Sequence, residues 1–117
     1  MEARAIQRHA RQSSRKMRLV VDLIRGKNVS EAYAILKFNK KYAAKQIEKT
    51  LRSAVANAEQ AALSANESLD IDDLVVTKAI INMGTPLKRF QPAAQGRGVP
   101  IKKHTSHVRI LVATKER

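Results

Sequence analysis

The chain has no cysteine and no tryptophan, and its aromatic residues are only Tyr33, Phe38, Tyr42 and Phe90. Without cysteine there can be no disulfide, no thiolate nucleophile and no cysteine-based zinc site, a composition that fits a reducing, cytoplasmic setting. With so few aromatics, an RNA-binding sheet that stacks bases on aromatic side chains is not expected. No apolar run approaches the roughly 20 residues that a membrane-spanning helix needs. The opening Met1-Glu-Ala-Arg-Ala-Ile-Gln-Arg8 has no apolar core of the signal-peptide kind. The most informative absence is of acid. From Leu74 to Lys115 there is not one Asp or Glu, against eight Lys or Arg.

What is present is positive charge, and it is unevenly spread. The 117 residues carry a formal net charge of +13. Residues 1–27 hold eight basic and two acidic residues, residues 28–73 six and seven, and residues 74–117 nine and one. The middle third reads as an ordinary solvated, folded segment, and the two ends read as the contact surface for a polyanion. The length implies a single domain, residues 1–117, with a modest core.

Patterning predicts both strands and helices. Ala3 to His9 alternates as a strand, with Arg4, Ile6 and Arg8 on one face and Ala3, Ala5 and Gln7 on the other. Ser13 is placed to cap a helix over Ser14–Arg25, whose Met17, Val20, Val21 and Ile24 recur at helical spacing, and Gly26 is placed to end it in the left-handed conformation. Ser30 reads as the cap of a short helix to Phe38, and Asn39 as the cap of a long one over about Lys40–Leu63. That third helix carries a buried stripe of Ala44, Ile47, Leu51, Ala54, Val55, Ala58 and Ala62 and an outer Glu48–Arg52 pair. Its alanines allow close approach, which predicts a central position. After a polar loop, Leu74–Met83 and Ile101–Thr114 alternate as strands, with 74–83 paired against 105–114.

Between those strands lies a basic stretch rich in Gly and Pro, too poor in large apolar residues to build a core. It predicts a hairpin arm at about 84–104, some ten residues per side and roughly 30 Å long at 3.3 Å per residue. A lone hairpin of that length is marginal in water and calls for a partner.

The candidate nucleic-acid contacts form two groups. The arm supplies Lys88, Arg89, Arg97, Lys102, Lys103 and Arg109, with Thr105, Ser106 and His107 as hydrogen-bond donors to phosphate or sugar. Six phosphate contacts would give a log–log salt slope of about −4 to −5. The N-terminal group is Arg4, Arg8, Arg11, Ser13, Arg15, Lys16, Arg18, Arg25 and Lys27, of which Ser13, Arg15 and Lys16 stand at a helix start where free N–H groups favour phosphate. The plainer reading of each residue is a solvated surface, but blocks of one sign with no acid usually mark interaction segments. Phe90 either packs across the hairpin, or stacks on a base or lines a cavity near the tip. Asp22 and Asn57 read as structural, Asp22 pairing with a neighbouring arginine and Asn57 satisfying backbone groups inside the body.

Other chemistries find little support. His104 and His107, three apart on a strand, point to opposite faces, so no metal site is expected. No phosphate-binding glycine loop, Ser–His–acid set or catalytic carboxylate pair is present, so neither an enzyme nor a cofactor is expected. A helix–turn–helix DNA reader would need polar, base-reading residues on the second helix, which instead offers Ala32, Tyr33, Ala34, Ile35, Leu36 and Phe38. A membrane-surface binder would carry its charge on an amphipathic helix rather than largely on a hairpin.

Four segments carry a specific resemblance: Arg15-Lys-Met-Arg-Leu-Val-Val-Asp-Leu-Ile-Arg-Gly-Lys27, Ser53-Ala-Val-Ala-Asn-Ala-Glu59, Leu87-Lys-Arg-Phe-Gln-Pro-Ala-Ala-Gln-Gly-Arg97 and Lys103-His-Thr-Ser-His107. In order and spacing the chain resembles the large-subunit ribosomal protein twenty-two family of bacterial type over nearly its whole length. Ser14 stands where the family often has proline, and Gly98-Val99-Pro100 departs from its usual polar turn. The resemblance implies that the strands and helices form an α+β fold, three helices packed on a small three-stranded antiparallel sheet, with a long protruding hairpin that reaches into the peptide exit tunnel of the ribosome. It implies large-subunit ribosomal RNA and neighbouring large-subunit proteins as partners, a role in assembling that RNA, and no membrane or homo-oligomer. It also implies a hairpin tip at about Leu87–Arg97, with Lys88, Arg89 and Phe90 facing the tunnel and the nascent peptide, where changes can alter macrolide response. A basic DNA-binding or RNA-chaperone protein outside the ribosome is the alternative.

Overall fold

The computed structural model describes residues 2–92 and 94–114; Met1, Ala93 of the expected tip and residues 115–117, with the Lys115 that ends the acid-free run, lie outside the described residues. Strand β1 (Glu2–Ala10) is followed by helices α1 (Ser14–Ile24), α2 (Val29–Phe38) and α3 (Tyr42–Ser64). Next come β2 (Leu74–Met83), β3 (Leu87–Pro92), β4 (Gly98–Lys103) and β5 (Ser106–Thr114), with short 3-10 turns at Ile71–Asp73 and Ala94–Gly96. The expected α+β arrangement is observed. Three strands pair antiparallel in the order β1-β5-β2 under the helices, and β3 and β4 form a separate two-stranded ribbon.

The sheet is centred on β5 because that strand is the most apolar: Val108, Ile110 and Val112 are fully buried. Against them pack Met17, Val20, Val21 and Ile24 of α1, all fully buried, and Ala44, Ile47, Leu51, Ala54, Val55 and Ala58 of the predicted α3 stripe; Ala62 is buried as well but outside this cluster. Strand β2 departs from simple alternation. Leu74 and Val76 are buried, but so are Ala79 and Ile81, because the register against β5 slips between Val76 and Lys78. This bulge switches the phase of the strand by one residue, and the Thr77 hydroxyl donates to the Leu111 carbonyl oxygen at 3.2 Å.

Helix boundaries differ from the expected ones where tertiary contacts outweigh local capping preference. Helix α2 starts at Val29 rather than Glu31, with Asn28 and not Ser30 at its N-cap. Val29 is fully buried, and Asn28 is bridged to Val75, which fixes the entry of the helix. Helix α3 starts at Tyr42, because the Asn39 side chain accepts from the Lys41 N–H at 2.9 Å and so closes a turn before the helix instead of capping it. Ser13 occupies the N-cap of α1 without a side-chain cap bond. Gly26 does adopt the left-handed conformation, φ +79°.

The sheet edges are closed by side chains and loop backbone. Along β2 the Gly26 N–H donates to the Val76 carbonyl and the Val76 N–H to the Lys27 carbonyl, each at 2.9 Å. Arg18 Nη2 donates to the Ile81 carbonyl at 3.1 Å and Arg25 Nη2 to the Ala79 carbonyl at 2.6 Å. Unpaired edge carbonyls invite aggregation, and here two arginines cover them. On β1 the Asn57 amide donates to the Arg4 carbonyl at 2.8 Å, so Asn57 is structural as expected but lies exposed rather than inside the body. A polar cluster that the sequence did not announce joins α3 to the same strand: Thr50 Oγ1 donates to Gln7 Oε1 at 2.9 Å, and Gln7 Nε2 to Gln46 Oε1 at 2.7 Å.

Candidate nucleic-acid interface

The arm leaves the body at a joint. Its ladder is not continuous with the body sheet, as a single long hairpin would be, but stops at Gly84–Pro86 on one side and His104–Thr105 on the other. Each arm strand is six residues, shorter than the ten expected. The molecule is nonetheless elongated, 66 × 27 × 17 Å with a radius of gyration of 17.6 Å, where a compact chain of this length would have about 13 Å.

On the arm the register sets Lys88 opposite Lys102, Leu87 opposite Lys103 and Phe90 opposite Pro100. Every residue of the ribbon except the half-buried Leu87 and Ile101 is exposed. Two lysines directly across an antiparallel pair repel one another, and no acid lies among the described residues of 74–114 to offset them. Phe90 packs over the backbone at Gly98, where an added β-carbon would stand 3.7 Å from its Cδ1, yet 78% of the residue stays open. The tip turns through Gln95 (φ 64°) and Gly96 (φ 71°), next to the exposed Arg97.

A second cationic surface lies on the face of the sheet away from the helices. Pairing places Ile6 and Ile80 on either side of Arg109, and Arg4 and Lys78 on either side of Leu111. Ile6 and Ile80 are 44% and 39% exposed, and Arg109 Nε has no partner within the protein. Arg109 is thus flanked by apolar side chains, and its Nε is buried without an acceptor. Lys78, which belongs to this face, was outside the predicted set. Arg8 and Arg11 lie exposed at the end of β1, near the first turn of α1, which holds exposed Arg15 and Lys16 and no acid. The side chain of Lys27 is also exposed.

Histidine 9 joins this surface unannounced. It takes φ 59°, its backbone N–H donates to His107 Nδ1 at 3.1 Å, and the two rings meet edge to face at 5.1 Å. With Nδ1 accepting, a neutral His107 carries its proton on Nε2 and can still donate outward.

Four predicted contacts are buried or spend donors within the protein. Thr105 is 2% exposed and its hydroxyl donates to the Thr85 carbonyl at 2.8 Å, while Ser106 is fully buried. In the free protein neither hydroxyl is open to a phosphate. Arg18 and Arg25 spend donors on β2, and Arg25 also pairs with Asp22 at 2.7 Å.

The middle third also hides a charge division. Between Lys37 and Arg52 stand six basic residues and one acid, and between Ser53 and Asp73 five acids and no base. The basic half surrounds Phe38 and Tyr42, 80% and 53% exposed at the α2–α3 corner, together with Lys37, Lys40, Lys41 and Lys45. Averaging over 28–73 had cancelled the two halves. In the same region burial raises the pKa of the Tyr33 phenol above its ordinary value, against the opposing pull of Arg52.

Comparison with known proteins decides the family. The sequence profile of the family described as Ribosomal protein L22p/L17e matches residues 5–113. The chain belongs to this family. It is 55% identical to the large ribosomal subunit protein uL22 of Clostridium novyi over 96% of either chain. It is 51% identical to that of Pediococcus pentosaceus, over 97% of this chain and 92% of the relative. The uL22 of Macrococcus caseolyticus is 53% identical, over 99% of this chain and 90% of its own. The L22p/L17e family is one of structural ribosomal proteins, not of enzymes.

Proposed function

We propose that this chain is a structural constituent of the large ribosomal subunit that binds and helps to assemble large-subunit ribosomal RNA. The observation that carries the reading is the arm: two exposed strands with Lys88 set against Lys102 and no acid on the described residues around them. Such a ribbon is poorly stable alone, and a polyanion compensates it. In this reading the arm residues Lys88, Arg89, Arg97, Lys102 and Lys103 hold one RNA region. The sheet face of Arg4, Arg8, Lys78, Arg109 and His107 holds a second, together with Arg11, Arg15, Lys16 and Lys27. The α2–α3 corner with Lys40, Lys41 and Lys45 extends the contact. The neutral core keeps these surfaces at fixed separation, so that RNA segments far apart in sequence are drawn together. The tip, with Lys88, Arg89 and Phe90, lines the peptide exit tunnel beside neighbouring large-subunit proteins and touches the nascent chain.

The test is sedimentation of a tagged copy from cell lysate at low and high salt. Co-migration with the large subunit that survives high salt is the expected result. Loss of all co-migration at moderate salt would leave only loose electrostatic binding and favour an RNA chaperone or a DNA-binding role.

A further inference from the structure

Helix α3 carries its charges in the order that a solitary helix disfavours. Its N-terminal end is the positive pole of the helix dipole and has no acid in its first turn; Lys41 stands at the N-cap, with Lys45 following. Its C-terminal end is the negative pole and has no base in its last turn. Instead Glu59 lies one turn before that end and Glu67 just beyond it. Negative charge at a helix C-terminus is destabilising, and nothing basic stands between Arg52 and Lys78 to relieve it. The N-terminal half is answered by RNA in the function proposed above. The C-terminal half repels RNA and is left to a different partner.

That end is also shaped. Helix α3 closes with Asn66 at φ 54°, its N–H donating to the Leu63 carbonyl at 3.2 Å, and with the Glu67 N–H donating to the Ala62 carbonyl at 2.9 Å. This paired C-cap turns the chain sharply back. Leu69 and Ile71 return beside Ala62 and Leu63, and a groove of about 340 Å³ opens between them, with Glu59 and Glu67 completing its lining. Leu63 is 73% exposed and Ile71 39%. An apolar groove bounded by carboxylates, at the negative end of a 23-residue helix, asks for apolar side chains flanked by cations.

We propose that the groove at the C-terminal end of α3 docks a Lys/Arg-rich segment of a neighbouring protein in the same subunit, with an apolar side chain seated against Leu63 and Ile71. The inference rests on the ribosomal reading for where its partner is found, and on charge complementarity for what the partner is. Nucleic acid is excluded by like charge, and apolar insertion alone would not use the carboxylates.

The test places the photo-crosslinking residue p-benzoylphenylalanine at position 63 of the full chain, in cells whose large subunits are then purified and irradiated. Incorporation of the chain into the subunit, measured before irradiation, tests the ribosomal reading separately. Given incorporation, the expected product is a cross-link to a Lys/Arg-rich peptide of another large-subunit protein. Its yield should fall at least fivefold in the Glu59→Lys/Glu67→Lys background and less in Glu59→Gln/Glu67→Gln, which keeps side-chain shape. Cross-linking to RNA, to a segment without basic residues, or to no macromolecule would overturn the proposal, as would a yield indifferent to the charge reversal in subunits that still incorporate the chain.

Discussion

Gly84 and Thr105 meet backbone to backbone at the root of the arm. The Gly84 N–H donates to the Thr105 carbonyl at 2.9 Å. A β-carbon on Gly84 would stand 2.5 Å from Thr105 Oγ1 and 3.2 Å from its carbonyl carbon. The hydroxyl cannot swing away freely, because it donates to the Thr85 carbonyl at 2.8 Å. Gly84→Ala is therefore expected to cost about 1–3 kcal/mol through overpacking and to re-aim the arm. Urea unfolding of the free protein measures the first effect, and the yield of assembled large subunits the second. Gly84→Ala/Thr105→Ala removes the closest contact but leaves the backbone ones, so it should recover only part of the loss.

The opposition of Lys88 and Lys102 gives a prediction with opposite signs in free and bound protein. Lys102→Glu turns a repulsive cross-strand pair into an attractive one, stabilising the ribbon by about 0.2–1 kcal/mol. Amide exchange in the arm should slow. RNA affinity should fall all the same, with the log–log salt slope flattening by about 0.7–0.9 as one phosphate contact is lost. A ribbon that becomes more protected and also binds RNA unchanged would remove the arm's charge from the mechanism.

Arg25 separates a structural cation from an RNA-binding one. Its guanidinium donates through Nε at 3.3 Å and Nη2 at 2.6 Å to the Ala79 carbonyl on the edge of β2. Arg25→Ala should lower the unfolding free energy by about 1 kcal/mol, the smaller end for a charge-assisted bond because the side chain is half exposed. The salt slope of RNA binding should stay as in the parent chain, whereas Arg97→Ala, on an exposed loop residue, should do the reverse. Titration with RNA at three salt concentrations, alongside thermal unfolding, distinguishes the two.

Much of this was legible because apolar spacing alone decides it. The stripes of α1 and α3 and the pairing of 74–83 with 105–114 follow from period, and burial enforces them. The bulge at Val76/Lys78 was not legible, since the segment from Leu74 to Ile81 alternates acceptably in either phase and only the register against β5 selects one. Nor was the joint, because a break at His104–Thr105 leaves no Gly or Pro there; the signal was Gly84 on the other strand. Composition could not tell Arg25 from Arg15. One faces a strand edge, the other solvent, and that depends on where β2 arrives. Thr105 and Ser106 looked like donors to RNA for the same reason, a polar pair in a basic stretch, although the turn into β5 buries both.

The N-terminus of α3 offers the sharpest trade between stability and binding. Lys41 holds the N-cap position and makes no side-chain cap bond, and the first turn has no acid. Lys41→Asp would supply a cap acceptor and a negative charge at the positive pole, together worth about 1 kcal/mol. The free protein should melt roughly 3–6 °C higher. In the proposed complex, however, that position faces phosphate, so RNA affinity should fall and its salt slope should flatten, as one cation becomes an anion. Lys41→Ser adds the cap without the negative charge; it should keep part of the thermal gain and lose less affinity. If Lys41→Asp raises the melting temperature and leaves the salt slope untouched, the α2–α3 corner is no RNA surface, and the basic half of α3 is solvated charge.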